Sequence, residues 1–524
     1  MKKNIDKFIA GLLLVGATLS SCDKDFEQIN TDPINILNTT PDKLLAPALV
    51  NSLTANMMRN RNFNNELMQV TVSISDGDAT VMRYEFRRTF ADYLWNALYV
   101  QQKNFKDIYT LASQPDMENS SYKGISLITQ AWVTSILTDT YGDIPDSEAG
   151  EGREGIVEPA FDRQQDIYQD FFNKLEEANT LLSKGDAIAA ISDPVYKGDI
   201  AKWRKFGNTL YLRLLLRVSG KPEVASAVIA KIKEIAETNV SKYPTMASNS
   251  DAAVIKWTGD AGVGPYVNPY ANGIRVQDFR AASMGSFFID RLRDWGDPRI
   301  DHSDSKGYGN NGVNSLGINP TGTGLAGVPS GYQVGQGVTR ASYFYSSDQA
   351  IGSTGVAAAR SLQQSPLTGI LMNYAELQFI LAEAAAKGWI SGNMITYMEK
   401  GMAGAINYWV PAFPANPGSV QFKDYIKDSD IDLKAAQSLE EKMEQIHIHK
   451  YYAMFLVDMQ QWFEYRRTGH PILPKGAGMR NNGVMPARMT YPVYVQSANP
   501  TNYKAAIIAQ GADEIYTNVW WQKP

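Results

Sequence analysis

The only cysteine of the 524-residue chain, Cys22, stands where its thiol can accept a lipid. Leu19, Ser20 and Ser21 directly precede it, and a cysteine behind two small residues near the start of a chain is typical of the lipid-attachment site of a bacterial lipoprotein. Because there is no second cysteine, an internal disulfide bond is excluded. The sequence therefore predicts lipidation at Cys22 and an anchor made of acyl chains.

The residues before Cys22 fit a cleaved signal peptide. Lys2, Lys3 and Lys7 make the start basic, and the apolar run from Phe8 to Leu19 is too short to cross a bilayer core of about 30 Å as a helix. We therefore expect residues 1–21 to be removed as a signal peptide. Residues 22–41 are rich in Asn, Thr, Asp and Pro, and they are expected to form a tether behind the lipid.

Other motifs that could support catalysis or metal binding lack the context that their chemistry needs. The segment Gly322 to Gly327 matches G-x-G-x-x-G, but no apolar strand precedes it and no helix pattern follows, so we expect a loop. His447 and His449 fall on a predicted helix, where side chains two residues apart point to different sides. They are therefore not expected to bind one metal ion together. Asp428, Asp430 and Asp432 are spaced like the start of a calcium-binding loop. The glycine and the glutamate that such a loop needs are replaced by Leu433 and Leu439, so the aspartates are expected to stabilise turns and caps.

No catalytic residue, metal ligand or cofactor is predicted. The sequence has no G-x-S-x-G motif, and its only cysteine belongs to the anchor. Two carboxylates that the fold brings together could still form a glycosidase, so a lipid-anchored glycoside hydrolase stays as the alternative. A structural calcium ion also stays open.

Charge and composition narrow the class of ligand. The chain has a formal net charge of -5 and no block of basic residues, which argues against nucleic acid as a partner because phosphate binding needs clustered lysine and arginine. A neutral ligand fits better. Hydrophobic residues make up 44% of the chain and aromatic residues 11%, which is enough for a large core and for further rings at a binding surface.

Helical periodicity dominates the first and last thirds of the chain. Helices are predicted over the following segments: a stretch starting at Pro41, Tyr93–Ala112, Tyr122–Asp139, Phe161–Leu182, Asp199–Val218, Val224–Glu237 and Tyr374–Lys387. Ser438 and Glu441 form a capping box that opens a long helix, which is expected to end near Gly469. Trp95 is expected in the core because Leu98 lies one helical turn away.

The middle of the chain has a different pattern. From residue 256 to about 365, glycine, asparagine, serine and proline are dense, and the one predicted helix is capped by Ser283 and closed behind Trp295 by Gly296. Long loops of this kind are commonly functional, and the repeated aromatic residues favour an ordered insertion. We therefore predict a mainly helical chain with a loop-rich insertion, and its length allows one large domain or two to three smaller ones.

Two longer blocks and several short motifs follow one another along the chain. The longer blocks are TYGDIP at residues 140–145 and WFEYRRTG at residues 462–469. The short motifs are the Cys22 site, Asn268-Pro269-Tyr270, Asp297-Pro298-Arg299 and Tyr491-Pro492. In this order they resemble the SusD/RagB family of Bacteroidetes outer-membrane lipoproteins over essentially the whole chain. The second long block is most similar to the SusD-like branch of that family.

The resemblance implies one mainly α-helical domain over residues 42–524, in which tetratricopeptide-like helix pairs form a scaffold and a large irregular, loop-rich side binds the nutrient. Members of this family are not enzymes. They sit as a lid on a SusC-like TonB-dependent β-barrel transporter and capture oligosaccharides, or in some members peptides. Asp23, Lys24 and Asp25 behind Cys22 resemble the surface-export signal of such lipoproteins, which implies anchoring in the cell outer membrane with the protein facing the exterior.

The two long blocks are expected to be structural. Arg466 and Arg467 lie near a predicted helix end, where cations stabilise the helix dipole and can pair with buried carboxylates. The TYGDIP block is expected to form a turn that ends a helix in the core. Ligand contacts are therefore expected in exposed loops. A sugar needs a flat aromatic ring against its CH face and planar polar groups for its hydroxyls.

Two loop segments supply the predicted ligand-binding residues. The first segment offers Asp76, Asp78, Arg83, Tyr84, Phe86 and Arg87, and it lies about where the family's first binding loop lies. The second segment offers Trp257, Tyr266, Asn268, Tyr270, Asn272, Arg275 and Gln277. Outlying candidates are Tyr308, Tyr332, Tyr343 and Tyr345.

Three hypotheses about function make different structural predictions. A binding protein for oligosaccharides predicts an exposed aromatic platform. A hydrolase predicts two carboxylates about 5 to 9.5 Å apart in a cleft. A binding protein for peptides predicts a deeper and more charged cleft.

Overall fold

The computed structural model describes residues 39–77, 80–258, 266–300, 314–320, 324–349, 360–416, 418–431 and 438–524. Several sequence predictions lie outside these residues: the signal peptide, Cys22, most of the tether, Asp78, Tyr308 and parts of the 322–327 and 428–432 motifs. These predictions therefore stay predictions.

Helices that pack pairwise make up the first half of the described chain. They are α1 (Pro41–Arg59), α2 (Asp92–Leu111), α3 (Ser120–Tyr141), α4 (Gln164–Leu182), α5 (Ile200–Val218) and α6 (Ala225–Lys233). Each helix from α1 to α5 packs on the next one in the chain. Asn119 and Asp199 cap the starts of α3 and α5, where each side chain accepts a backbone N–H. The predicted helices of this region are confirmed within the usual uncertainty of helix ends.

The insertion consists of loops that connect short helices and short strands. Its helices are α7 (Pro269–Gly273), α8 (Val276–Phe279) and α9 (Ser286–Asp294). The strands of the described chain are β1 (Thr71–Val72), β2 (Ala253–Ile255), β3 (Ser283–Met284), β4 (Ile318–Asn319), β5 (Tyr343–Phe344) and β6 (Gly369–Met372). They form three antiparallel pairs, β1 with β3, β2 with β6 and β4 with β5. The β1–β3 pair ties the insertion to the segment behind α1, and the β2–β6 pair joins the two chain segments that flank the insertion.

The last third returns to helices. They are α10 (Tyr374–Ala386), α11 (Met394–Trp409), α12 (Val420–Asp428), α13 (Leu439–Ala453), α14 (Gln460–Thr468), α15 (Val495–Ala498) and α16 (Pro500–Gln510). Helix α10 packs on α11, on α13 and on α5, and so joins the two helical parts. The predicted fold class, a mainly α protein built from helix pairs with a loop-rich side, is confirmed.

Two local predictions are wrong. Ser283 does not cap α9, because its backbone pairs with Val72 in the β1–β3 ladder and Gly285 occupies the cap position. The helix opened by the capping box does not run to Gly469 without interruption. It ends at Ala453, and α14 begins at Gln460 after a turn in which Leu456 adopts a positive φ of 67°.

Tryptophan side chains anchor the core. The largest fully buried side chains include Trp132, Trp203, Trp295 and Trp462. Trp95 is 7% exposed, which confirms its predicted place in the core. Among the described residues, no helix combines the length and hydropathy needed to cross a bilayer.

Candidate functional site

A small pocket opens where the end of α1 meets the insertion. We call it the loop-side pocket, and its volume is about 60 Å³. It is lined by Arg61, Asn62, Asn65, Glu66, Thr71, Tyr270, Phe279, Ala282, Phe344, Leu362 and Leu456. Pockets that enclose a whole small ligand usually measure roughly 300 to 1,000 Å³, so this pocket can take only one side group of a larger ligand.

Three rings form the apolar wall of the loop-side pocket, and the insertion holds them in place. Asn268 caps α7 by accepting the N–H of Tyr270 at 2.9 Å, and its amide nitrogen donates to the carbonyls of Leu362 and Ser365. The ring of Tyr270 lies 5.6 Å from that of Phe279, which lies 6.2 Å from that of Phe344. Asn268 therefore holds the ring of Tyr270 in place through these hydrogen bonds.

Arg61 and Glu66 give the loop-side pocket its polar wall. The guanidinium of Arg61 lies over the ring of Phe279 at 5.8 Å and donates to the backbone carbonyl of Asp278. Glu66 accepts the backbone N–H of Met82 at 3.3 Å. Burial raises the pKa of Glu66 to about 7, against the opposing effects of this hydrogen bond and of Arg61. Near neutral pH the pocket therefore gains or loses one negative charge.

The first predicted segment is less exposed than the sequence suggested. Asp76 is exposed and pairs with Arg83 at 3.2 Å, but Arg83 itself is buried, with its guanidinium 4.7 Å from the ring of Tyr332. Tyr84 is 2% exposed, and Phe86 is half-buried. The expectation of exposure is wrong for Arg83 and Tyr84, because tertiary packing takes up both side chains.

The second predicted segment also contains both buried and exposed residues. Trp257 is 3% exposed, Tyr270 is 1% exposed and Asn268 is fully buried, so their expected exposure is wrong. Trp257 packs against Gly369 of β6, and the hydroxyl of Tyr270 donates to the carbonyl of Met57 in α1. The polar sequence neighbours of these residues do not indicate such contacts. Tyr266 is half-buried, whereas Asn272 and Arg275 are exposed. Whether any of these residues contacts ligand stays a prediction.

The outlying tyrosines are mostly part of the protein interior. Tyr332 is 5% exposed and Tyr343 is 8% exposed, while Tyr345 is half-buried. The guanidinium of Arg340 lies 3.9 Å from the ring of Tyr343, which covers that ring from one side. These tyrosines support the loops of the insertion.

Sequence reasoning missed Arg61, Glu66 and Phe344. The first two follow α1 in a π-helical turn, Asn60–Asn64, and in the short helix Asn65–Leu67. The one available signal was the polar run N-R-N-F-N-N-E directly behind an apolar helix. A widened turn of this kind is frequent at functional sites, because it turns side chains away from the regular helix face.

One cluster of described residues has side chains of the types that bind metal ions. Ligand atoms of Glu383, His447 and Glu464 lie within 4.8 Å of one another. Arg467 donates to Glu383 at 2.6 Å and to Glu464 at 2.8 Å, and Lys450 donates to Glu464 at 2.6 Å. Because these cations already balance both carboxylates, the cluster is a buried ion-pair network that joins α10, α13 and α14.

The protonation of Glu66 gives a testable pH dependence. Its pKa is raised from 4.5 in the unfolded chain to about 7 in the folded protein. As pH rises from 4.5 to 7, the unfolded state therefore loses its proton first, and the folded state is destabilised. We expect Glu66→Gln to remove this loss. The free energy of unfolding of the variant relative to the natural protein should rise by about 1 to 3 kcal/mol between pH 4.5 and 8.

Urea denaturation at several pH values measures this effect. Glu118→Gln is the matched control, because Glu118 is exposed and pairs only at the surface with Lys123. An unchanged pH slope in Glu66→Gln would show that Glu66 ionises normally in the folded protein.

The fold and the loop-side pocket define a class of protein: a scaffold of packed helix pairs that carries an irregular side with a small aromatic pocket. The profile of the SusD-like family, described as "Starch-binding associating with outer membrane", matches residues 33–492. The chain belongs to the SusD-like family.

Solved structures agree with this assignment. A chitin-binding protein is 26% identical with a TM-score of 0.70, covering 93% of this chain and 100% of its own. A SusD homologue from Bacteroides fragilis is 25% identical with a TM-score of 0.71 and the same two coverages. A chitin-binding SusD homologue from Flavobacterium johnsoniae shares the fold at 20% identity, with a TM-score of 0.72 and coverages of 92% and 98%. No curated protein sequence matches this chain.

Proposed function

We propose that this protein is a non-catalytic, cell-surface lipoprotein that captures oligosaccharides and delivers them to a SusC-like TonB-dependent transporter in the outer membrane. The observation that carries the proposal is the match of the starch-binding family profile over residues 33–492. The likeness at 26% identity to a protein named as chitin-binding supports a glycan ligand.

The loop-side pocket has the chemistry that a glycan needs. Tyr270, Phe279 and Phe344 supply an apolar wall for a CH face, and Arg61 and Glu66 supply a donor and an acceptor for hydroxyls. With a volume of about 60 Å³, the pocket would take one substituent of a sugar. The rest of the oligosaccharide would lie across the mouth, near exposed residues such as Asn272 in α7 and Arg275, which directly precedes α8.

The first residues of the chain and its family support the proposed anchoring and delivery. Cys22 would hold the chain to the membrane through its lipid. The family description places such proteins at the outer membrane. A transporter partner of the SusC kind would then receive the bound glycan.

The proposal predicts binding that depends on the loop side. Tyr266→Ala removes a half-buried ring and Arg275→Ala removes an exposed cation, whose ion pair with Asp278 at 2.6 Å lies at the surface. We expect each variant to weaken binding of a starch- or chitin-derived oligosaccharide by about fivefold or more, which corresponds to about 1 kcal/mol. Titration calorimetry of the purified protein measures the affinity.

Arg153→Ala is the matched control for these two variants. Arg153 is an exposed arginine in the turn Gly152–Glu154, which lies outside both predicted ligand-binding segments. Equal weakening in all three variants, or none in any, would place the glycan elsewhere on the molecule.

A further inference from the structure

A second and larger cleft lies on the helical part of the protein. It opens between the turn at residues 247–250 and α11, and its volume is about 480 Å³. Its polar and aromatic lining comes from Ser248, Asn249, Ser250, Tyr374, Lys400 and Asn407. We call it the helical cleft. It shares no lining residue with the loop-side pocket, and its volume falls within the roughly 300 to 1,000 Å³ of small-ligand sites.

An aromatic ring forms one wall of the helical cleft. The ring of Tyr374, the first residue of α10, packs against Gly404 of α11. A Cβ atom at position 404 would lie 3.0 Å from Cδ1 of Tyr374, so a glycine is what allows the ring to lie this close. The amide nitrogen of Asn249 donates to the carbonyl of Gly404 at 2.9 Å and fixes the turn to the same helix. Tyr374 stays half-buried, so part of its ring faces the cleft.

The polar groups of the helical cleft can both donate and accept hydrogen bonds. The hydroxyls of Ser248 and Ser250 lie 2.8 Å apart, so one of the two protons stays free for a ligand. The amide nitrogen of Asn407 donates to the carbonyl of Phe413 at 2.7 Å, which leaves its amide oxygen as an acceptor. The hydroxyl of Tyr374 adds a further donor.

The charge of the helical cleft is positive. Lys400 is exposed, and no ion pair joins its ammonium to a carboxylate of the described residues at 4.0 Å or less. None of the lining residues is an aspartate or a glutamate. A site with hydroxyl and amide groups, one unpaired cation and one aromatic ring complements a ring-shaped ligand that carries hydroxyls and a negative charge.

We propose that the helical cleft binds a carboxylate-bearing sugar, such as a uronic acid. In this arrangement the ring of Tyr374 contacts the CH face of the sugar, and Lys400 pairs with the carboxylate. The serine hydroxyls and the amide oxygen of Asn407 bond the sugar hydroxyls. The proposal goes beyond oligosaccharide capture on the loop side, because it assigns a separate site and a charged ligand.

The test compares galacturonic acid with galactose, two sugars that differ at the carboxylate. We expect the purified protein to bind galacturonic acid at least about fivefold more tightly than galactose, as one accessible ion pair allows. The Lys400→Gln variant should bring the two affinities together. Lys423→Gln, which changes another exposed lysine of the last third, should leave them apart. Ligand-observed NMR titration measures both dissociation constants.

Two further measurements keep the outcome clear. Raising the salt concentration should weaken binding of galacturonic acid by the natural protein and leave galactose unaffected, a test that needs no variant. Tyr374→Leu replaces the aromatic ring by an aliphatic side chain, and it should weaken the binding of both sugars. The proposal is overturned by equal affinities for the two sugars, by affinity that does not depend on Lys400, or by no binding of galacturonic acid. Each of these results leaves glycan binding at the loop side untouched.

Discussion

Replacing Arg467 by methionine should lower the free energy of unfolding by about 3 to 5 kcal/mol. Arg467 donates to both carboxylate oxygens of Glu383, at 2.8 and 2.6 Å, and to Glu464 at 2.8 Å. The side chains of Glu383 and Glu464 are almost fully buried. Removing the guanidinium would leave buried negative charge without its main partner, which is far more costly than losing a surface pair.

The pH dependence of Arg467→Met follows from the same contacts. Burial alone would raise the pKa of Glu383, but Arg467 and Lys387 hold that pKa well below its usual range. In the natural protein this pairing contributes stability above the ordinary carboxylate pKa of 4.5, and that stability is lost as pH falls. The cost of Arg467→Met should therefore be largest at neutral pH and shrink in acid.

Urea denaturation at pH 7 measures the cost, and Arg480→Met supplies the control. Arg480 pairs with Glu85 at 3.0 Å, but both side chains are largely exposed. An exposed pair contributes about 0 to 1 kcal/mol, so this variant should unfold almost as the natural protein does. If the two variants lost similar stability, the buried network would not be the strong element that its geometry indicates.

The second large effect concerns Trp203 in α5. Its side chain is fully buried, its indole N–H donates to Asp193 at 2.8 Å, and its ring meets that of Tyr196 edge-on at 5.4 Å. Trp203→Ala should lower the free energy of unfolding by about 3 to 5 kcal/mol, because it leaves a large cavity beside α5.

Trp203→Phe separates the contribution of the ring from that of the hydrogen bond. The phenyl ring fills part of the site, and Asp193 keeps backbone N–H donors from Val195, Tyr196 and Gly198. We expect this variant to cost about 1 to 2 kcal/mol, measured by urea denaturation beside Trp203→Ala. A loss in Trp203→Phe as large as that in Trp203→Ala would assign the effect to the hydrogen bond rather than to packing.

Local signals in the sequence predicted most of the helices. The capping box of Ser438 and Glu441 is present at the start of α13, and the apolar spacing in α2 to α5 matches the faces that are buried. Helix α11 was missed because Gly401 and Gly404 weaken its helical pattern. The structure explains these glycines, since a Cβ at position 401 would lie 2.8 Å from the ring of Phe379 on α10.

Breaks and burial depend on contacts between distant parts of the chain. The break between α13 and α14 contains neither glycine nor proline, and its Asp458 carbonyl accepts the side-chain amide of Asn60 at 2.6 Å. No pattern within one segment could predict such a contact. The same reason explains why Tyr84 and Trp257, in polar loops, are core residues.

The candidate site shows the same limit. Composition and the family resemblance indicated a loop-rich binding side, and the loop-side pocket does include Tyr270 from the predicted segment. Its other wall comes from Arg61 and Glu66, which lie about 200 residues away in sequence. Two sequence segments that meet only after folding cannot be paired from spacing alone.

We expect this protein to bind an oligosaccharide and to release it uncleaved. Titration calorimetry of the purified protein with starch- and chitin-derived oligosaccharides, followed by chromatography of the recovered saccharide, measures both properties. Saturable binding of at least one of these glycans, and recovery of that glycan at its original length, are the expected results. Shorter products that increase with the amount of protein, or binding of peptides alone, would refute capture without turnover.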